Sequence, residues 1–368
     1  MTIWTCSTSA WWAVTNFEPR TLGWGIVGAS TAAARHFLPA LRTVAGHDHT
    51  GRAPVRAVAV TSSNRRRAHE FAAHQHLPHA FDDLEAMLSR PDIQCVYIAN
   101  QIQRHTDAVR IALDAGKHVL CEPPIAMDAD EAEALVHRAA LRGLHLWTNQ
   151  FWRFDPVIRH MRQELADGTI GDLLGMSIEN ETLLAVEQQT WRLQPGAGVL
   201  HDRTAQDVDL ALFIAGRRPQ HVWASSGPQL LGTHADVEEE IAAVLQLPDR
   251  VLVRVHDGYA NPHAGAAVSV HGTYATLRAV DWSDPGTPTH LVYRRRTAET
   301  PLDIAPTPPY VVILTEFMRA VRTASPVVDA RERHTQDALD TLHVIDALRQ
   351  AVVRGHVVRP AYDPPITR

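Results

Sequence analysis

A chain of 368 residues, 45% hydrophobic and 21% charged, is long enough to bury two sizeable cores. Its net charge of -6 and the lack of a basic stripe argue against a nucleic-acid or anionic-membrane partner, and no apolar run approaches the ~18 residues of a membrane helix. Cys6, Cys95 and Cys121 are odd in number and lack metal-ligand spacing, so free buried thiols in a reducing, cytoplasmic compartment and no bound metal are expected.

Residues 1–20 lack the basic start and clean apolar run of a signal peptide. Trp4, Trp11 and Trp12 suit an arm packed on this or a neighbouring subunit, with a plain tail as the alternative. From residue 21 to 148, short apolar runs alternate with helical periodicity. Strands are expected at 23–27, 55–60, 95–99, 118–121 and 145–147, and helices at 32–44, 65–76, 83–88, 105–115 and 129–142. Such alternation predicts a Rossmann α/β domain built on a doubly wound parallel sheet.

Residues 149–368 read differently. Helices are expected at 156–166 and 199–215, and strands at 173–180, 222–226, 238–247, 251–255, 267–271, 275–280 and 291–295. Two helices, 310–323 and 334–354, close the chain. The pattern predicts an α+β domain with a large, mostly antiparallel open sheet for substrate binding and oligomerisation. A homo-oligomer acting on a small molecule is the expectation.

The first strand runs into Gly28-Ala29-Ser30-Thr31-Ala32-Ala33. A dinucleotide turn asks for Gly-x-Gly-x-x-Gly/Ala, and here Gly28 and Ala33 fit while Ser30 stands at the middle glycine. Gly28, Ser30, Thr31 and Ala32 would meet the pyrophosphate at a helix N-terminus. The second strand ends in Thr61-Ser62-Ser63-Asn64-Arg65-Arg66-Arg67, without the carboxylate an NAD site places on the ribose. Hydroxyls and arginines suit a 2′-phosphate, so NADP(H) is favoured over NAD(H). A solvated helix face is the alternative for these arginines. Asn100 and His105 follow the strand at 95–99, at the sheet edge where ligands bind.

The only lysine, Lys117, opens Gly116-Lys117-His118-Val119-Leu120-Cys121-Glu122-Pro123-Pro124. That segment resembles the Gfo/Idh/MocA family of nicotinamide-dependent oxidoreductases, whose signature there ends in Glu-Lys-Pro. The signature lysine is Pro123 in this chain. Lys117 lies at the start of the strand, at about 3.3 Å per residue roughly 20 Å from its far edge, and cannot replace it. The Gly-Ala-Ser-Thr turn also resembles a subgroup typified by anhydrofructose reductases. The resemblance implies that Ser62 and Arg67, with Arg66 as alternative, hold the 2′-phosphate. It further implies that Trp191 and Arg192 reach the nicotinamide half, and that Glu122 contacts cofactor or backbone.

The segment from Gly196 through Asp202 and Gln206 to Asp209 resembles the family's second signature, Gly-Gly-Gly…Asp-x-Gly/Thr-x-His-x-x-Asp. Asp202 and residue 206 share a helix face at i, i+4. The family histidine is Gln206 here, and an amide can hydrogen-bond but cannot carry a proton through a cycle. Asp202, His201, Glu122 and Tyr310 are the remaining proton-transfer candidates, with Asp202 best placed and Gln206 left to orient substrate. Asn149, Phe151, Trp152, Arg153, Trp191 and Tyr310 would border a pocket more aromatic than a simple sugar requires, with Pro123, Asp202 and Gln206 also lining it. The implied activity is NADP(H)-dependent oxidation or reduction of a sugar-, cyclitol- or polyol-like metabolite. Loss of both proton carriers leaves two alternatives: a non-redox lyase, isomerase or cyclase in the same cleft, or a nucleotide-binding protein without turnover.

Overall fold

The computed structural model describes residues 21–46, 55–232, 234, 236–282, 289–323 and 328–362, the last segment with side chains from 335. The expected arm at 1–20, with Cys6, lies outside the described residues. Six strands form the first sheet: β1 (Leu22–Val27), β2 (Val55–Thr61), β3 (His79–Phe81), β4 (Cys95–Ile98), β5 (His118–Cys121) and β6 (Leu146–Thr148). All pair in parallel, in the order β3-β2-β1-β4-β5-β6. The three-residue β3 is an edge strand too short for a periodicity signal. Every residue of β1 is buried, as a strand covered by helices on both faces must be.

Helices α1 (Leu38–Ala45), α2 (Arg65–Gln75), α3 (Leu84–Leu88), α4 (His105–Asp114) and α5 (Ala129–Leu141) link these strands. A π-helical turn, Ala33–Phe37, runs into α1. Asn64, Asp83 and Asp128 accept backbone N–H bonds at the starts of α2, α3 and α5, which sets where those helices begin. The chain reverses direction across the sheet between β1 and β4, so their carboxyl ends form the crevice where such sheets bind ligands.

Beyond α6 (Pro156–Ala166), eight strands make a second sheet: β7 (Leu173–Glu181), β8 (His221–Ser226), β9 (Glu240–Gln246), β10 (Leu252–Gly258), β11 (Ala266–Gly272), β12 (Thr276–Val280), β13 (His290–Arg295) and β14 (Ala298–Leu302). Their order is β14-β13-β12-β11-β7-β10-β9-β8, antiparallel throughout except for β7 beside β10. Helix α7 (Ala205–Ala215) packs on the inner face against β7 and β10.

The last two helices, α8 (Pro309–Thr323) and α9 (Val328–Arg354), return to the first sheet. Phe317 of α8 lies 5.5 Å from the ring of Trp24 on β1 and 5.4 Å from that of Trp147 on β6. Ala338, Leu339 and Leu342 of α9 join the apolar cluster containing Val27, Val96 and Leu135. Cys95 and Cys121 are free thiols buried in this sheet, and burial pushes both well above the ordinary thiol range.

Candidate active site

The turn after β1 has backbone requirements that explain its sequence. Gly28 sits at φ 105° and donates its N–H to the Thr61 carbonyl at 2.9 Å. A Cβ there would lie 2.6 Å from the Ala99 oxygen, so only glycine fits. Ser30 Oγ accepts the Ala33 N–H at 3.2 Å, giving the serine a capping role where the middle glycine would stand. Thr31 is exposed and Ala32 half-buried on the first turn. Facing Gly28, Asn100 buries its Oδ1 with no protein hydrogen-bond partner, and Gln103 does the same with Oε1. Orphaned acceptors at the carboxyl edge of β4 fit a bound nucleotide's hydroxyls and amide.

At the end of β2, Arg67 donates from Nε to Ser62 Oγ at 2.9 Å, while its own N–H is held by the Asn64 cap. Among the described residues neither terminal guanidinium nitrogen of Arg67 has a protein partner. Arg66 instead pairs with Glu70 at 3.1 Å along the exposed face of α2. The two arginines that the sequence leaves as alternatives therefore differ in what they are free to bind.

His105 is buried between two carbonyls, Pro124 O at 2.7 Å from Nδ1 and Asn100 O at 3.2 Å from Nε2. Burial lowers its pKa, and it ties the loop after β5 to the loop after β4. Lys117 is spent at the opposite edge of the sheet, where Nζ donates to Ile93 O at 2.8 Å and Arg90 O at 3.1 Å.

Glu122, immediately after β5, gathers an unexpected cluster. Its Oε1 accepts from Tyr97 Oη, from Asn149 Nδ2 at 2.5 Å and from Tyr310 Oη at 3.1 Å. Burial raises the Glu122 pKa against the pull of those three donors. Tyr97 and Tyr310 are pushed well above the usual phenol value by burial and by the Glu122 charge, which makes Tyr310 a poor proton donor. Tyr310 also stacks on Phe151 at 4.9 Å and on His36 at 5.4 Å.

Pro123 and Gln206 are brought together, as their signatures require. Both line a cavity of about 20 Å³ with Pro124, Thr148 and Phe151, room for a single water. The Gln206 amide donates to the Asp202 carbonyl at 2.7 Å, back along its own helix. Asp202, the best-placed acid by sequence, is already engaged. Arg192 Nε and Tyr259 Oη both donate to its Oδ2 at 2.8 Å, and the Arg192 guanidinium stacks 4.4 Å over Trp191. His201 turns away, with Nε2 3.1 Å from the Met127 carbonyl, and burial lowers its pKa.

Arg153 is engaged by acidic side chains. It is locked between Asp209, at 2.5–2.7 Å, and Asp337, with Thr341 also on Asp209. Phe151 and Trp152 are only 7% and 6% exposed, and Trp152 packs 5.0 Å from Trp282, yet both also line the small cavity beside Pro123 and Gln206. Their apolar character is used in joining α8 to the second sheet. A larger cleft of about 950 Å³ opens instead between Gln103, Met127, Gly196, Glu238 and Arg349. Its walls come from segments some 250 residues apart, which no local pattern announces. Tyr97 and Tyr259 were likewise invisible in the sequence, since each reads as an ordinary strand-end aromatic.

Known proteins give the arrangement a lineage. Residues 22–150 match the family model described as oxidoreductase family, NAD-binding Rossmann fold, and residues 158–278 match the GFO/IDH/MocA C-terminal domain. The chain is 29% identical to 1,5-anhydro-D-fructose reductase of Ensifer adhaerens, over 81% of this chain and 87% of the relative. It is 31% identical to trans-1,2-dihydrobenzene-1,2-diol dehydrogenase of Bos taurus, over 77% of this chain and 81% of the relative. Among solved structures, aldose-aldose oxidoreductase from Caulobacter crescentus superposes with a TM-score of 0.80 at 21% identity, over 92% of this chain and all of that one. The 3-ketoreductase KijD10 from Actinomadura kijaniata, solved with NADP and TDP-benzene, gives 0.79 at 23%, over 94% of this chain and all of that one. With two sheets of this topology, a glycine-pinned nucleotide turn and both signature segments in their places, the chain belongs to the Gfo/Idh/MocA oxidoreductase family.

Proposed function

We propose that this protein is an NADP(H)-dependent oxidoreductase acting on a carbonyl or alcohol of a sugar, cyclitol or other polyhydroxylated metabolite. The observation that carries the cofactor preference is the Ser62–Arg67 pair: a buried hydroxyl orients a guanidinium whose outer nitrogens are unengaged, where an NAD site would hold a carboxylate. Gly28, Ser30 and the start of the first helix would take the pyrophosphate, and Asn100 a ribose or amide group. The named activities of the relatives, reduction of anhydrofructose and oxidation of a dihydrodiol, support the substrate class.

Free buried thiols suit a reducing, cytoplasmic setting. Trp223, Leu174 and Leu252 are exposed on β8, β7 and β10, and favour a homo-oligomer formed through the open face of the second sheet. Light scattering that returns a monomer would refute that assembly.

Calorimetric titration of cofactor-stripped protein with NADPH and NADH is the test, followed by NADPH consumption with 1,5-anhydro-D-fructose. Micromolar NADPH binding, much weaker NADH binding and measurable consumption are expected. Binding of neither nucleotide would overturn the reading. A second reading, non-redox chemistry in the same cleft, is favoured by Pro123 and by the turning of the Gln206 amide onto backbone. Substrate conversion with the nucleotide unchanged would select it.

A further inference from the structure

Neither signature proton carrier survives, and the structure engages Asp202, turns His201 away and buries Tyr310 as a high-pKa phenol. We propose that Glu122 is the proton-transfer residue of the hydride-transfer site, with Tyr97, Asn149 and Tyr310 as the positioning residues that aim it. This rests on the oxidoreductase reading above.

Three lines of geometry converge. First, all three donors bind one oxygen, Oε1, while no group among the described residues bonds Oε2. The side chain is half-buried, and Oε2 is not among the fully buried polar atoms without a partner, so that oxygen keeps some accessible surface. A carboxyl gripped by one oxygen and open at the other is oriented to exchange a proton. Second, Glu122 is the residue before Pro123, at the carboxyl edge of β5, the middle strand between β4 and β6. It thus lies between the nucleotide turn, reached through Tyr310 and His36, and the cavity shared by Pro123 and Gln206. Third, the grip comes from three separate places: Tyr97 on β4, Asn149 after β6 and Tyr310 at the start of α8. Asn149 and Tyr97 are wholly buried, and Tyr97 is braced by Phe37 stacked at 3.8 Å. That investment in one carboxylate oxygen exceeds what closing a loop requires.

In the reductive direction a bound NADPH would supply hydride to the substrate's carbonyl carbon, and Glu122 Oε2 would give its proton to the carbonyl oxygen, which takes the C=O π electron pair. The products are an alcohol, NADP+ and the Glu122 carboxylate, which regains its proton from water through the open oxygen.

The test pairs carboxyl NMR with turnover. Protein labelled with [δ-13C]glutamate should show one resonance, absent from Glu122→Gln, that titrates above the ordinary glutamate range. A Glu122 resonance within that range overturns the proposal whatever the activity. With 1,5-anhydro-D-fructose and saturating NADPH, Glu122→Gln should lose ~10²–10⁴-fold in kcat, and Glu122→Asp should recover part. Tyr310→Phe and Tyr97→Phe should shift the pH limb of kcat rather than abolish turnover. An active wild type whose Glu122→Gln variant keeps its rate overturns this proposal alone. A wild type that binds NADPH but reduces nothing overturns the oxidoreductase reading, and the Glu122 role with it.

Discussion

Replacing Arg67 with alanine removes the unengaged guanidinium at the end of β2 while leaving the helix cap intact, because Asn64 holds the residue 67 N–H and not its side chain. A hydrogen bond to a charged group contributes about 1.5–3 kcal/mol, so NADPH should bind roughly 10- to 100-fold more weakly. NADH has no 2′-phosphate and should be unaffected. Arg66→Ala is the internal control: that side chain spends its charge on Glu70, at 87% and 57% side-chain exposure, and should change NADPH affinity less than threefold, in line with the ~0.3–0.5 kcal/mol of such pairs. Ser62→Ala should fall between, since it frees Arg67 without removing it. Calorimetry on the three variants with both nucleotides, at two salt concentrations, separates the cases. A parallel loss of NADPH and NADH affinity in Arg67→Ala, or an equal loss in Arg66→Ala, would refute the assignment.

Arg153→Leu leaves Asp209 buried without its cation and should cost about 3–5 kcal/mol, read as a lowered melting temperature; Arg153→Leu with Asp209→Leu should recover part of it. Asp207 and Asp257 are fully buried beside each other, near the charges of Arg203 and His256; burial raises both carboxyl pKa values, and the Asp257 charge raises that of Asp207 further. Groups raised in the folded state contribute stability that is complete below the unfolded pKa of about 4 and is lost as pH climbs through the folded values. Asp207→Asn should therefore raise the melting temperature at neutral pH and flatten its decline above pH 4; a more alkali-sensitive variant would refute the linkage to these buried carboxyls. Pro123→Lys with Gln206→His, which restores both signature groups, should increase NADPH-dependent carbonyl reduction. Unchanged or lower turnover in a folded double variant would mean the cleft serves another reaction.

Both sheets were legible because their strands carry signals of different kinds. β1, β4 and β5 are short, largely apolar runs between helices, β2 is apolar after Arg56, and β9 alternates faces residue by residue. The parallel placement of β7 beside β10 was not legible, because strand order depends on crossovers that leave no mark on either strand. Gly28, Ser62 and Arg67 could be singled out from sequence as nucleotide-site candidates because each belongs to a short motif that follows a strand. Roles fixed at long range could not: Glu122 meets Tyr310 across 188 residues, Asp202 meets Tyr259 across 57, and Arg153 meets Asp337 across 184. Aromatic residues near the sheet edge read equally well as pocket or core, and Phe151 and Trp152 are both: they pack on Tyr310 and Trp282 and line the small cavity beside Pro123.

The return of α8 and α9 has a consequence for how the protein is made. During synthesis the first sheet emerges from the ribosome roughly 170 residues before Phe317, the side chain that closes the gap between Trp24 and Trp147. At ~5–20 residues per second that is an interval of about ten seconds or more, in which the apolar face destined for α8 is uncovered. Nascent chains stalled short of α8 should recruit holdase chaperones and be cut readily by protease. Chains stalled after α9 has cleared the exit tunnel should resist both.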